Sequence, residues 1–117
     1  MTTATPQLSA PTSISPTDVS VLVEAGAVLI DVREHQETAA GMAAEAVVMP
    51  LQSFDVQALP TDRPLILICR SGTRSMAAAN ALAGMGFTTY NVVGGMGAWA
   101  AAGLPVVAED GSAGYLF

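Results

Sequence analysis

The chain has 117 residues, 51% of them hydrophobic and 12% charged, which suits one domain with a substantial core and excludes a disordered chain. Four arginines, no lysine and ten acidic residues give a net charge of −6, which argues against a nucleic-acid partner. A single cysteine cannot form an internal disulfide, and one cysteine with one histidine provides too few ligands for a zinc site.

The sequence carries no pattern that is typical of a membrane-spanning or secreted protein. The sequence lacks a continuous apolar run of about 18 residues, and it lacks the basic and apolar segments of a signal peptide. We therefore expect a cytoplasmic protein without a membrane partner. Residues 1–13 are mainly Thr, Ser, Pro and Ala and predict a flexible N-terminal tail. The domain is expected to span residues 14–106, followed by a C-terminal tail at 107–117.

Short apolar runs alternate with helical segments along the chain. A first helix is predicted over Pro16–Glu24, because Ser15 is a good N-cap, Pro suits the first helical position and Gly26 favours termination. Apolar runs of this length are typical of buried strands. The predicted strands are Ala27–Val32, Ala46–Met49, Pro64–Cys69 and Phe87–Val93. The other predicted helices are Gln52–Leu59, where the pattern is weak, Arg74–Met85 and Met96–Ala102.

This alternation predicts an α/β domain with a mostly parallel central sheet. Ligands of such sheets bind beyond the carboxyl ends of the strands, against helix N-termini. Cys69 stands at that end of the most apolar strand, and the helix at 74–85 begins a few residues later. The topology and the only cysteine therefore indicate the same candidate site.

The segment CRSGTRS, from Cys69 to Ser75, has a composition that does not suit a packed core. A cysteine after an apolar strand is most often a small buried hydrophobe, and this alternative stays open. However, Gly72 permits a tight turn with inward N–H groups, and the next helix directs its positive end to the same place. Arg70 and Arg74 add cationic charge. These surroundings favour a thiolate, so we predict an exposed nucleophilic sulfur that needs no general base.

Three further segments accompany CRSGTRS: LIDVRE at 29–34, VVMPL at 47–51 and GGMGAWAAAGLPV at 94–106. In this order and spacing, the four segments resemble the motifs of rhodaneses, a family of sulfurtransferases. CRSGTRS is similar to the active-site loop of that family. The resemblance covers about residues 14–106, and it implies a rhodanese-like fold with helices on both faces of the sheet.

The resemblance also implies a chemistry. Cys69 would take the outer sulfur of a donor such as thiosulfate, become a persulfide, and pass the sulfur to cyanide or a thiol. The partners would be these small molecules, with a protein acceptor as a further candidate, and no metal or organic cofactor is required. The loop that holds the persulfide and orients the donor would consist of Arg70, Ser71, Gly72, Thr73, Arg74 and Ser75. Asp31 and Arg33 would support this loop, with a simple surface ion pair as the alternative.

The chain departs from the family pattern after its first strand. The family commonly has Gly-His-Ile-x-Gly-Ala where this chain has GMAAEA at 41–46, so Met42 and Glu45 concern substrate preference more than the nucleophile. Two other functions remain open. One is a phosphatase. Phosphatases of related fold place five residues between cysteine and arginine, whereas here four residues separate Cys69 from Arg74 and Ser75 occupies the position of the phosphatase arginine. Arsenate reductase activity belongs with this alternative. The other is a module that binds a partner or carries a persulfide without turnover.

Overall fold

The computed structural model describes residues 10–117 and contains one five-stranded parallel sheet with the order β1-β5-β4-β2-β3. The strands are β1 (Thr12–Ile14), β2 (Val28–Asp31), β3 (Val47–Val48), β4 (Leu65–Ile68) and β5 (Thr89–Val92). The predicted α/β fold with a parallel central sheet is confirmed.

In the described part of the chain, four α-helices accompany the sheet: α1 (Val19–Glu24), α2 (His35–Ala40), α3 (Thr73–Gly84) and α4 (Gly95–Ala101). A 3₁₀ turn over Pro16–Asp18 leads into α1, with Ser15 as its N-cap. The weak helical pattern at 52–59 corresponds to two 3₁₀ turns, Leu51–Ser53 and Val56–Ala58. None of the helices within residues 10–117 has the length and apolar character needed to cross a bilayer.

Strand β4 lies at the centre of the core, and all four of its residues are buried. Side chains alternate between the two faces of a strand. Ile66 and Ile68 accordingly pack in one cluster with Trp99 of α4, while Leu65 and Leu67 pack in a second cluster with residues of α3. The two clusters cover both faces of the sheet with helices, as predicted, and they hold the carboxyl end of β4 in a fixed position.

The N-terminal boundary differs from the prediction. Thr12 and Ser13, assigned to a tail by their composition, belong to β1, which pairs in parallel with β5. An edge strand is held by backbone hydrogen bonds, so exposed polar side chains give no sequence pattern for it. The first nine residues of the predicted tail lie outside the described residues.

The C-terminal segment also folds onto the domain, although its sequence predicts a tail. Val107 pairs with Met42 in an antiparallel bridge, and the Tyr115 N–H donates to the Ala40 carbonyl oxygen at 2.9 Å. Leu116 packs against the cluster that contains α4. These contacts join the last residues to the end of α2, which is a long-range arrangement that local sequence patterns do not encode.

Candidate active site

Cys69 follows β4 directly, at the start of the turn that leads into α3. The backbone N–H of Gly72 donates to Cys69 Sγ at 3.1 Å, and the hydroxyl oxygen of Ser75 lies 3.2 Å from the same sulfur. Gly72 has a φ of +100°, a conformation that glycine adopts without strain. This conformation turns the loop backbone so that a donor faces the sulfur.

The surroundings of Cys69 lower the pKa of its thiol below the ordinary value. Burial is the largest influence and by itself raises this pKa. Hydrogen bonds from the Ser75 hydroxyl and from the backbone N–H groups of Ser75, Gly72 and Ser71 together outweigh it. The site therefore favours the thiolate through hydrogen-bond donors at the first turn of α3, where the helix dipole is also positive.

The sulfur is less accessible than the sequence suggests. Cys69 is only 1% exposed and belongs to the apolar cluster around β4, so the prediction of an exposed thiolate is wrong. Cys69 packs among aliphatic residues in that cluster because its side chain continues the inward-facing row formed by Leu65 and Leu67. Ser71 and Thr73, by contrast, are exposed on the loop surface.

The two loop arginines make their contacts elsewhere. Arg74 forms a bidentate ion pair with Glu37 of α2, with N–O distances of 2.7 and 2.9 Å. The hydrogen bond to Arg74 lowers the pKa of Glu37, and the hydrogen bond to Glu37 raises the pKa of Arg74. The guanidinium of Arg70 lies close to the Cα of Gly97 in α4. Within the described residues, neither guanidinium donates a hydrogen bond to Cys69 Sγ.

The start of α4 holds the backbone of Cys69 and of the residue that follows it. The Met96 N–H donates to the Cys69 carbonyl oxygen at 2.7 Å, and the Gly97 N–H donates to the Arg70 carbonyl oxygen at 3.0 Å. A Cβ atom on Gly95 would collide with the Cys69 carbonyl oxygen, and one on Gly97 would meet the Arg70 guanidinium at 2.6 Å. Glycine at position 95 therefore permits the close backbone approach that these two hydrogen bonds require, whereas a Cβ atom at position 97 would displace only the end of the Arg70 side chain.

Asp31 and Arg33 form a buried ion pair, with side chains 0% and 1% exposed, so the surface alternative is wrong. Arg33 Nη2 lies 2.8 Å from Asp31 Oδ2, and Arg33 Nε lies 3.0 Å from Asp31 Oδ1. Arg33 also donates to the Gly41 carbonyl oxygen at 2.7 Å. Among the residues described, neither side chain forms a hydrogen bond to the loop 70–75. The pair instead joins the end of β2 to the end of α2, the helix that carries Glu37.

The family model of the Rhodanese-like domain matches residues 15–102, which include β2 to β5, the cysteine loop and α4. The chain belongs to this family. Because the match covers most of the chain, it confirms the resemblance inferred from the four sequence motifs.

Several relatives of this rhodanese-like chain carry the name sulfurtransferase. A sulfurtransferase from Allochromatium vinosum is 38% identical over 86 residues, which are 71% of this chain and 80% of the relative. The thiosulfate sulfurtransferase GlpE from Pseudomonas syringae pv. syringae is 35% identical over 89 residues, 74% of this chain and 84% of the relative. A rhodanese-related protein from Thermoplasma volcanium superimposes with a TM-score of 0.77 at 32% identity, covering 84% of this chain and 99% of that chain. At the level of the family, these similarities support a rhodanese-type sulfurtransferase.

Two residues of this rhodanese-like site were not predicted from the sequence. Glu37 is 37 positions from its partner Arg74, and no local pattern connects them. Asn91 of β5 is 3% exposed, accepts a hydrogen bond from the Ser75 hydroxyl and donates one to the Gly72 carbonyl oxygen. A polar residue inside an otherwise buried strand requires a hydrogen-bond partner, and this rule could have identified Asn91.

The two departures from the rhodanese pattern lie outside the cysteine loop. Met42 pairs with Val107 and lines a cavity of about 180 Å³ together with residues that include His35. Glu45 is exposed and lines a different cavity, next to Trp99. Neither cavity is lined by residues 70–75. The structure thus provides no direct contact through which these two residues would change the loop.

Proposed function

We propose that this rhodanese-like chain is a sulfurtransferase that accepts the outer sulfur of thiosulfate on Cys69 and transfers it to cyanide or a thiol. The observation that carries the proposal is the set of hydrogen-bond donors around Cys69 Sγ, which lowers the pKa of the thiol despite its burial. The names of the GlpE relatives, thiosulfate sulfurtransferases, support thiosulfate as the donor.

In the first half-reaction, the Cys69 thiolate attacks the outer sulfur of thiosulfate. A bond forms between Cys69 Sγ and that sulfur, the bond between the two thiosulfate sulfurs breaks, and sulfite leaves with the electron pair. The product is a persulfide whose terminal sulfur carries the negative charge. The backbone N–H groups of Ser71, Gly72 and Ser75, which already favour the thiolate, are the donors available to stabilise this charge.

In the second half-reaction, the acceptor attacks the terminal sulfur and Cys69 Sγ leaves as a thiolate. Cyanide becomes thiocyanate, and an acceptor thiolate becomes a persulfide, so the enzyme returns to its starting state without an oxidant or a reductant. A leaving thiolate departs faster when its pKa is low. The same hydrogen bonds therefore assist the attack in the first step and the departure in the second.

Treatment with thiosulfate is expected to add one sulfur atom to Cys69. Intact-mass spectrometry should show a gain of about 32 Da that cyanide removes as thiocyanate. The Cys69→Ser variant, treated in the same way, should show no gain. A persulfide carrier without turnover would gain the mass but release thiocyanate only once. Absence of any gain in the wild-type protein would identify a partner-binding module and contradict the proposal.

Arg74 is expected to attract the dianionic donor, with Glu37 as its competitor. Arg74→Ala should raise the KM for thiosulfate about fivefold, and Glu37→Gln should lower it by a similar factor, because interactions between partly exposed charges contribute about 1 kcal/mol. Glutamine preserves the hydrogen bond of the α2 capping box that Glu37 provides. Steady-state kinetics with varied thiosulfate would measure both effects.

The matched control for Arg74 is Arg63→Ala, which removes an exposed arginine that precedes β4. This change should leave the KM for thiosulfate unaltered if the effect of Arg74 is local. An equal rise of KM in both arginine variants would instead indicate a general influence of net charge, and an unchanged KM in Arg74→Ala would contradict a role in donor binding.

A further inference from the structure

A chain of polar contacts connects the nucleophile to β5. Ser75 Oγ lies 3.2 Å from Cys69 Sγ and 2.6 Å from Asn91 Oδ1, and Asn91 Nδ2 lies 3.2 Å from the Gly72 carbonyl oxygen. Ser75 and Asn91 are 0% and 3% exposed, so water does not replace these contacts readily. The geometry of these contacts restricts where the hydrogen-bonding protons of Ser75 and Asn91 can lie.

The orientation of the Asn91 amide follows from its contact with Gly72. The Gly72 carbonyl oxygen can only accept a hydrogen bond, so the amide nitrogen of Asn91, and not its oxygen, must face it. The amide oxygen therefore faces Ser75. An amide oxygen also only accepts, and it lies 2.6 Å from Ser75 Oγ. The proton of the Ser75 hydroxyl must consequently lie between these two oxygens.

A serine hydroxyl has one proton, so Ser75 cannot donate to Asn91 and to Cys69 at the same time. With its proton directed to Asn91, Ser75 presents a lone pair to the sulfur and can accept a hydrogen bond from the thiol S–H. This arrangement stabilises the neutral thiol. Donation to the thiolate requires the hydroxyl to turn and give up its hydrogen bond to Asn91.

We propose that Asn91 is a positioning residue that limits the ionisation of Cys69 by holding the Ser75 hydroxyl proton away from the sulfur. On ionisation, the thiol proton passes to water, the S–H···Oγ and Oγ–H···Oδ1 hydrogen bonds break, and one Oγ–H···S⁻ hydrogen bond forms. The inference deepens the proposed function, on which it rests for the role of Cys69 as the nucleophile. Asn91 thereby limits how far Ser75 promotes the thiolate.

Charged groups also stand on the loop and on the elements packed around it, and Arg74 interacts electrostatically with Cys69. These groups are Arg70 and Arg74 of the loop, Glu37 of α2, and the Asp31–Arg33 pair after β2. A double-mutant cycle between Asn91 and Ser75 leaves all of them in place, so their contributions cancel in the coupling between the two positions.

The test measures the pKa of Cys69 in the wild-type protein, Asn91→Leu, Ser75→Ala and the double variant. Ultraviolet absorbance of the thiolate reports ionisation without a reagent that must reach the buried sulfur, and Cys69→Ser supplies the blank. We expect Asn91→Leu to lower the pKa of Cys69 more when Ser75 is present than when it is replaced by alanine. The difference between the two pKa changes should be about half a pH unit or more, which corresponds to one hydrogen bond. Equal effects in both backgrounds, or coupling of the opposite sign, would overturn the inference.

A second measurement does not depend on the folding of an Asn91 variant. Cys69 is the only cysteine, so the infrared S–H stretching band of the protein belongs to it alone. We expect this band at a lower wavenumber in the wild type than in Ser75→Ala, because the thiol donates to Ser75 Oγ; no difference would contradict the inference. Neither measurement involves turnover, so the absence of sulfur transfer would count against the proposed function without affecting this result.

Discussion

Replacement of Cys69 by serine is expected to abolish sulfur transfer from thiosulfate to cyanide. A hydroxyl is not ionised near neutral pH and cannot hold a transferable sulfur, so both half-reactions are lost. Loss of an essential nucleophile lowers turnover by about 10³- to 10⁶-fold. Colorimetric measurement of thiocyanate, with donor and acceptor both saturating, would quantify the decrease.

The Cys69→Ser variant should remain folded, since serine is slightly smaller and its oxygen can still accept the hydrogen bond from the Gly72 N–H. Circular dichroism and thermal melting would verify this point and separate loss of chemistry from loss of structure. Retained thiocyanate formation in the folded variant would refute the assignment of the nucleophile. Hydrolysis of p-nitrophenyl phosphate that is rapid in the wild type and lost in Cys69→Ser would favour a phosphatase instead.

Removal of Asp31 is expected to have the largest effect on stability. Arg33 is 1% exposed and would lose its carboxylate partner in Asp31→Ala, retaining only the Gly41 carbonyl oxygen. Breaking a buried ion pair from one side costs about 3–5 kcal/mol because the remaining charge is left uncompensated. Urea unfolding followed by circular dichroism should show this decrease in the free energy of unfolding.

Two variants serve as controls for Asp31→Ala. Glu109→Ala removes one partner of the contact with His35, in which both side chains are mostly exposed, and should change stability little. The double replacement Asp31→Leu with Arg33→Met removes both charges and should recover much of the lost stability. If Asp31→Ala were no less stable than Glu109→Ala, the buried pair would not support the structure in the way inferred.

The location of the candidate site was predictable from local patterns. The apolar run before Cys69 identifies β4, and the small polar residues after it identify a turn that leads into α3. Parallel topology then places Cys69 beyond the carboxyl end of a central strand. The Gly72 N–H faces the sulfur. The predicted exposure of the sulfur was wrong, because exposure depends on neighbouring strands and helices.

Other features of the site depended on contacts distant in the sequence. The sequence around α2 lacks an apolar helical pattern, and Glu37 acquires its partner only when α2 lies beside α3. Asn91 likewise acquires its partners only in the folded protein, because Gly72 and Ser75 belong to the turn and helix that follow β4, not β5. Ionic and hydrogen-bond partners of this kind follow from the packing of elements and leave no fixed spacing along the chain.

The amino-acid order alone determined the parallel α/β architecture, the family motifs and the position of Cys69, the proposed nucleophile, since apolar runs, glycines and helix caps act over a few neighbouring residues. Only the tertiary structure decided that Cys69 is covered, that Arg74 pairs with Glu37 and that Asn91 accepts a hydrogen bond from the Ser75 hydroxyl. These properties depend on distances of about 3 Å between groups far apart in sequence, a scale on which hydrogen bonds form or fail.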